Sequence, residues 1–543
     1  MTATTQSDQR PEAGALKAEA AEAGAHVVAD QSAVAAFLGD PANHGPGIDA
    51  VERFDTHGAM VFLAGARAYK VKRAVAFPYM DFSTLTLRRA ACEQEVMLNR
   101  RTAPGLYLGT EPVTRDAEGA LHLGGAGEVV EWVVVMRRFD QDGLFDRLAA
   151  AGRLTPDLML RLTDAILSFH EAAERLEAGR ALCGGSAGQR AVAEESLAEL
   201  AERPALFAAP EVEALAALFR RWQEGCGGLL DERMAGGFVR RCHGDLHLRN
   251  ICLIEGEPTL FDCIEFNEAY AAIDVLYDLA FLLMDLEHRA LRPLANLVLN
   301  RYLQRGEALE GLAALPGFLA NRALVRAKVS ASAEASQSEA AARARLEVEA
   351  RQYFDMARRY LEPPAPRLLA VGGLSGSGKT TLARRLAPWI GAAPGALHLR
   401  SDVIRKTLWG VDELSPLPAE AYGPGFGERV YAEICRRARQ GLAAGQAVVA
   451  DAVYVKAGER DAIAAVAREL GLRFDGLWLQ APPAALAERV TARRADASDA
   501  DAAVVQRQLT YHTGEITWRR LEAGGPAAAL ADSAADLLGI EPA

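Results

Sequence analysis

The sequence predicts two units of different architecture in one chain: an α+β unit, then an α/β unit built on a parallel sheet. Three observations lead there. Residues 51–138 read mostly as strand and 144–361 mostly as helix, an order of strands then helices that marks α+β organisation. Beyond a proline-rich joint at 362–366, apolar runs at 368–371, 396–399, 447–450 and 474–479 alternate with helical patterns, as in a parallel sheet. Between the first of those runs and its helix lies a glycine-rich loop.

Length and composition bound the rest. The 543 residues suffice for about three or four compact units. Half are apolar and 24% charged, as in ordinary soluble proteins. The net charge of −12 argues against a nucleic-acid-coating surface. The seven cysteines are widely spaced with no C-x-x-C pair, so reduced thiols in a cytoplasmic protein are expected, not a zinc knuckle or a disulfide framework. No apolar run is long enough to span a bilayer, and the Ala/Glu-rich start lacks the apolar core of a signal peptide.

In chain order, residues 1–30 read as a disordered tail leading into a helix near 31–38. A first domain is expected over 31–361, with a smaller lobe at about 48–137 and a larger one at 138–361. In the smaller lobe, 60–63 and 67–72 form a hairpin around Gly65, a helix follows from 85 to about 101, and strands at 107–113 and 129–136 flank a turn at 116–119. The larger lobe is helical apart from an insert at 238–267, and its Ala-rich stretch 322–359 reads as a long solvated helix. The segment 362–366 (Glu-Pro-Pro-Ala-Pro) ends that helix and stiffens the joint to a last domain over 367–541.

The insert carries chemistry. The run Cys242-His-Gly-Asp-Leu-His-Leu-Arg-Asn250 precedes a hairpin, 251–261, that delivers Asp262. Asp245 and Asn250 stand five apart, the spacing of the catalytic loop H-R-D-L-x-x-x-N of protein kinases, where a metal-binding Asp follows a short hairpin. An Asp can accept the proton of an attacking hydroxyl; Asn250 and Asp262 offer oxygen ligands to Mg²⁺ on ATP phosphates. Glu265 is close enough in sequence to assist. His243 and His247 read as loop braces, and Cys242, Cys252 and Cys263 as small buried fillers.

This stretch, with its H-G-D-L-H-x-x-N form, resembles the aminoglycoside phosphotransferase family, whose fold is protein-kinase-like. The resemblance covers about residues 48–360. It implies that Lys70 holds ATP phosphates with Glu95 as its helix partner. Lys72 shares the strand face of Lys70 and is an alternative, as Glu93 is to Glu95. It further implies that 134–138 is the hinge meeting adenine and that Asp278, in Asp274-Val-Leu-Tyr-Asp-Leu-Ala280, braces the catalytic loop. The chain departs from protein kinases in having Cys-Ile after Asp262 and Thr56-His-Gly58 in place of a G-x-G-x-x-G loop. Acceptors in this fold extend beyond antibiotics to small metabolites, sugars and amines.

The glycine-rich loop contains G-x-x-x-x-G-K-T over 373–380, between an apolar strand run and a helix-forming run. Gly373, Ser375, Gly376, Ser377, Gly378, Lys379, Thr380 and Thr381 are the candidate phosphate cradle. Backbone N–H groups and the helix N-terminus would face phosphate oxygens, Lys379 would reach the β- and γ-phosphates, and Thr380 would hold Mg²⁺. Asp402 follows one strand, with Arg405 and Lys406 after it; Asp451 ends another, as a metal-holding carboxylate would. Arg489, Arg493 and Arg494 follow the strand near 477–480, and Ser498-Asp-Ala500 comes after. In that order these residues resemble the AAA-type predicted P-loop kinases of small molecules or nucleic-acid ends. The resemblance implies Asp402 as base for the acceptor hydroxyl, Asp451 as a Mg²⁺ position and Arg493 as the lid arginine that neutralises the transferring phosphoryl group.

The sequence thus predicts a bifunctional ATP- and Mg²⁺-dependent phosphotransferase acting on small-molecule hydroxyls, without membrane or nucleic-acid partners. Two rivals remain at this point: a nucleotide-dependent sensor whose first half only binds ligand, and a polynucleotide-end kinase in the second half.

Overall fold

Strand-forming runs after residue 50 build one antiparallel sheet. In the computed structural model, which describes residues 27–77, 79–176, 183–305, 309–492 and 496–540, its spatial order is Val51–Asp55, Ala59–Ala64, Arg67–Lys72, Glu128–Arg137, Tyr107–Arg115, Leu121–Leu123. Strand alternation divides Arg67–Lys72 between two faces. Tyr69 and Val71 join a core with Met60, Phe62, Val133 and Leu38, the last from the helix Ser32–Gly39. Lys70 and Lys72 face the other way. There the helix Leu85–Asn99, capped by the Thr84 hydroxyl, presents Arg88, Ala91, Cys92, Glu95, Val96 and Asn99, a buried stripe at helical spacing. The tail expected over 1–30 lies, up to residue 26, outside the described residues.

The larger lobe hangs on the helix Val275–His288, whose residues are buried from Val275 to Leu286. Asp274 caps it, accepting from Leu276 N at 2.8 Å. The same buried carboxylate takes a bidentate pair from Arg233, at 2.7 and 2.8 Å, and the guanidinium stacks on Phe238. The stretch 322–359, expected as one solvated helix, is two helices, Leu315–Ser336 and Ala340–Leu361. Its alanines are not a solvent face: Ala323, Ala327 and Ala331, four apart, are all fully buried, where small side chains allow close helix approach.

The second unit is an α/β fold on a parallel sheet with order Leu397–Arg400, Val448–Asp451, Arg367–Gly373, Arg473–Gln480, Arg519–Glu522. The edge strand Arg519–Glu522 is too polar to show as an apolar run. No helix among the described residues is long and apolar enough to cross a membrane.

The compact units are Met1–Arg289 with Gly317–Leu361, and Ala290–Pro316 with Glu362–Ala543. Residues 290–316, expected in the first domain, therefore belong with the second. The reason is hydrogen bonding at a strand edge, whose backbone groups need partners. On the helix Arg292–Arg305, the Asn296 and Asn300 amides both donate to Ala396 O at 3.1 Å, and Asn300 Oδ1 accepts from His398 N at 2.6 Å. Arg301 and Arg305 pair with Glu413 and Asp412 at 2.7 and 2.9 Å.

Asp274→Ala would strip a helix cap and leave the Arg233 charge buried without its partner. The expected loss in the first unit's unfolding free energy is about 3–5 kcal/mol by chemical denaturation.

Candidate active sites

In the first unit the insert forms the floor of a cavity of about 400 Å³, lined by Lys70, Lys72, Asp245, Asn250, Asp262 and Glu265 among others. The turn Thr56-His-Gly58 and the Met136–Arg137 end of the strand Glu128–Arg137 also line it, so the expected hinge and the substitute for a glycine-rich loop both reach the cavity. Lys70 Nζ sits 2.9 Å from Glu95 Oε1 and 2.5 Å from Asp262 Oδ1. Lys72 Nζ is 2.5 Å from Glu95 Oε2 and also pairs with Glu265. Both candidate lysines thus share Glu95, and Lys70 is the one that touches Asp262. Glu93, the alternative acid, is exposed and pairs with Arg89.

Glu95 is fully buried. Burial alone would raise its pKa, but Lys70 and Lys72 outweigh that and hold it at about 2. Burial also works against the Asp245 carboxylate. His247 Nε2, at 3.3 Å, with His243 and Arg326 overcomes it, and the pKa lies below the ordinary value. Asp245 is therefore ionised near neutrality, as a proton acceptor must be. Asn250 Nδ2 donates to Asp245 Oδ2 at 2.8 Å and to Asp245 O at 3.0 Å, which turns the Asn250 carbonyl oxygen away from the aspartate. Asp262 has φ 59°, a left-handed backbone uncommon without glycine. Its N–H donates to the Tyr107 hydroxyl at 3.1 Å.

The loop is braced from behind. Asp278, fully buried, accepts from His243 N and Gly244 N at 3.0 and 2.9 Å and lies 3.1 Å from His170 Nε2. Asp285, one face of the same helix further on, accepts from Leu248 N at 3.0 Å. His243 Nε2 meets Phe261 O at 2.9 Å. Asn99 ties the Glu95 helix to the Asp262 segment, donating to Glu95 O and accepting from Cys263 N, both at 2.9 Å. Cys242, Cys252 and Cys263 are buried, and burial pushes the Cys252 and Cys263 thiols up to about 12.

In the second unit the loop after Arg367–Gly373 turns through Gly373, Gly376 and Gly378, with φ 144°, 83° and 90°, into the helix Lys379–Leu386. A Cβ on Gly376 would stand 2.4 Å from Leu486 O. The buried Ser377 hydroxyl has no hydrogen-bond partner among the described residues, and Ser375 N donates to Gln508 Oε1 at 2.8 Å. Thr380 Oγ1 donates to Asp451 Oδ1 at 3.1 Å, which brings two oxygen donors together. These features fit a phosphate cradle with a hard divalent cation beside it; in the first unit Asn250 and Asp262 offer the same donor type. Thr381 lies in the helix behind the loop.

His398, not assigned a role from sequence, donates from Nε2 to Asp451 Oδ2 at 2.7 Å. Burial lowers its pKa, so a neutral imidazole orients that carboxylate. A histidine two residues before a strand's C-terminal end was the available signal. Asp402 is half-buried in the first turn of the helix Ser401–Trp409, at the same C-terminal end of the sheet as Asp451. Lys406 is buried and pairs with Asp499 at 3.0 Å, and Tyr422 OH donates to Asp499 at 2.6 Å. Arg405 donates to Ala421 O and Arg489 to Ala523 O. Arg493 and Arg494 lie outside the described residues.

Residues 115–315 match a family model described as "Phosphotransferase enzyme family", and 368–514 match one described as "AAA domain". Uncharacterized proteins of Mycobacterium tuberculosis (strain ATCC 25618 / H37Rv) and Mycobacterium bovis (strain ATCC BAA-935 / AF2122/97) are each 31% identical over 500 residues, 90% of this chain and 94% of theirs. The chain belongs to their family. It joins a kinase-like phosphotransferase domain to a nucleotide-binding P-loop domain, and it is a phosphotransferase. Solved structures similar to parts of it include an aminoglycoside phosphotransferase from Streptomyces rimosus ATCC10970, at 19% identity over 50% of this chain and 91% of that one, TM-score 0.31. Another is a gluconokinase from Sinorhizobium meliloti 1021, at 25% identity over 32% and 92%, TM-score 0.23.

Two outcomes follow from this geometry. The Glu95 carboxylate, at about 2 in the fold against 4.5 ordinarily, stabilises the fold fully above pH 4.5 and loses that contribution as pH falls towards 2. Unfolding midpoints measured from pH 6 to 2 should fall less steeply for Glu95→Gln than for the parent (the pH endpoints are roughly those set by linkage). Gly376→Ala should weaken nucleotide binding to the second unit by roughly tenfold or more, read by titrating a fluorescent ATP analogue into the Lys70→Ala background, since the new methyl meets backbone.

Proposed function

We propose that the protein is a bifunctional kinase, with one ATP site per unit, each transferring the γ-phosphoryl group to a hydroxyl of a small-molecule acceptor. The observation that carries this reading is the completeness of both donor sets: Lys70–Glu95, Asp245, Asn250 and Asp262 around one cavity, and the 373–380 cradle with Thr380 on Asp451.

In the first unit the acceptor oxygen attacks the γ-phosphorus, the bond to the β-phosphate oxygen breaks, ADP leaves, and Asp245 takes the hydroxyl proton. Asn250 holds the Asp245 carboxylate in place, and Lys70, steadied by Glu95, neutralises ATP phosphates. In the second unit the backbone N–H groups of the cradle and Lys379 bind the phosphates, and Asp402 receives the acceptor proton. Arg493 is the proposed lid arginine. Asn250 and Asp262, and Thr380 and Asp451, would hold Mg²⁺, which when bound would neutralise charge on the phosphates. Positioning and electrostatics account for most of the rate in both. No membrane or nucleic-acid partner is proposed, in keeping with the net charge of −12, and the compartment proposed is the cytoplasm.

The test is transfer from γ-labelled ATP into a metabolite extract by the full chain, Asp245→Ala and Lys379→Ala. Different labelled products should vanish in the two variants, each falling by roughly a hundredfold or more. Release of inorganic phosphate alone, abolished only by Lys379→Ala, would replace this reading with an ATP-driven sensor.

A further inference from the structure

A second cavity, of about 210 Å³, opens in the first unit beside the catalytic loop. It is lined by His247, whose imidazole touches Asp245, and by Arg249, which also lines the 400 Å³ cavity. The two cavities therefore share Arg249, and His247 of the smaller one lies 3.3 Å from Asp245 of the larger. Phe281 and Tyr353 give the smaller cavity an apolar wall, and His288 stacks on Tyr353 at 4.1 Å.

Its charge decides what fits. Three guanidinium groups, Arg249, Arg289 and Arg326, face two carboxylates, Asp285 and Glu349. Asp285 is already engaged, by Leu248 N and by Arg289 Nε, both at 3.0 Å. Glu349 accepts from the Ser330 hydroxyl at 3.3 Å. The Arg326 guanidinium lies 5.7 Å from the Tyr353 ring, within the field of Glu349 and Asp285, and its own field reaches Asp245. A guanidinium has five N–H donors, so most of those on Arg326 remain for a ligand. Arg249 makes only a 3.9 Å approach to Asp146. Two forked donors converging on a small cavity suit a planar or tetrahedral anion.

Resting on the reading of Asp245 as a kinase base, we propose that this cavity seats the acceptor, a compact hydroxyl compound whose carboxylate or phosphate is held by Arg326 and Arg249. Size points the same way. The cavity lies below the roughly 300–1,000 Å³ that drug-sized ligands occupy, so a polycyclic or oligosaccharide acceptor does not fit within it. The acceptor hydroxyl meets Asp245 past His247, and Arg249, reaching both cavities, faces the phosphoryl group in transit.

The experiment uses the full chain carrying Lys379→Ala, so that transfer reports the first unit. Labelled ATP is offered with short hydroxy acids, with sugar phosphates, with glycerol and with ethanolamine. Transfer is expected to an anionic compound; which of the first two classes is used tells carboxylate from phosphate. Arg326→Gln should raise KM for that acceptor by roughly 10- to 100-fold, the worth of one charge-assisted hydrogen bond, with kcat little changed. Arg249→Gln, at an exposed position that reaches both cavities, should raise KM in the same direction and lower kcat as well. In parallel, sulfate is titrated calorimetrically into the same protein saturated with a non-hydrolysable ATP analogue. Saturable binding that Arg326→Gln weakens is expected. Transfer confined to glycerol or ethanolamine would overturn the anionic subsite and leave the kinase reading standing. Sulfate binding without transfer to any compound would overturn the kinase reading and keep the anion site. Absence of saturable sulfate binding would overturn the site itself.

Discussion

The first unit is organised around one buried carboxylate. Glu95 stands between two lysines of a single strand, and each lysine reaches a further acid, Lys70 to Asp262 and Lys72 to Glu265. Burying these ions is costly, and the cost is recovered only if every member stays paired. The arrangement therefore behaves as a positional lock more than as a source of stability. It fixes the sheet strand Arg67–Lys72, the helix Leu85–Asn99 and the segment leaving the catalytic hairpin in one geometry. Asp262 is the member whose side chain remains open to the cavity, 39% exposed, where a ligand cation can compete with Lys70 for Asp262 and a phosphate with Asp262 for Lys70. The strained backbone at Asp262 and its hydrogen bond to Tyr107 keep that open end aimed.

The second unit meets the same demand, holding phosphate, by a different physical route. Its donors are backbone N–H groups, whose placement needs left-handed turns and therefore glycine at 376 and 378. Full charges enter at Lys379 and Asp451, with Arg400 close enough to act on the latter. Asp451 is oriented in turn by Thr380 and His398, and the backbone of His398 is held by Asn300. A neutral imidazole orients a carboxylate without adding a competing positive charge next to phosphate, which suits a position where a divalent cation is the intended neutraliser. The two units thus illustrate alternative uses of electrostatics: paired side chains in one, fixed dipoles in the other.

What could be read from sequence was whatever chemistry confines to short, fixed spacings. Asp245 with Asn250, the 373–380 loop and the Asp262 that follows a hairpin are local patterns, and the structure brings each set together. The partners that orient them come from afar and leave weaker marks. Lys70 and Lys72 could not be separated because both are used, with different acids. Glu265 is adjacent to the loop, but its partner is nearly two hundred residues away. Arg326 and Tyr353 lie in a stretch whose alanine content reads as solvent-facing helix, because composition does not report which face is covered. Arg519–Glu522 was invisible since an edge strand needs apolar residues on fewer sides.

The excursion at 290–316 is the least legible feature and the most consequential for how the chain is divided. The chain leaves the first unit just after the helix that supplies Asp278 and Asp285, caps the strand edge of the second with Asn296 and Asn300, and returns at Gly317 on the way to Arg326. It crosses again at the proline-rich joint. A boundary drawn at that joint alone would take from the second unit the asparagines that satisfy Ala396 O and His398 N, beside the histidine that orients Asp451. Unsatisfied backbone groups at that edge would be a cost to the strand itself. The loop-bracing helix of one and the strand-capping helix of the other are consecutive in sequence, so insertion or deletion near residue 290 acts on the supports of both sites at once.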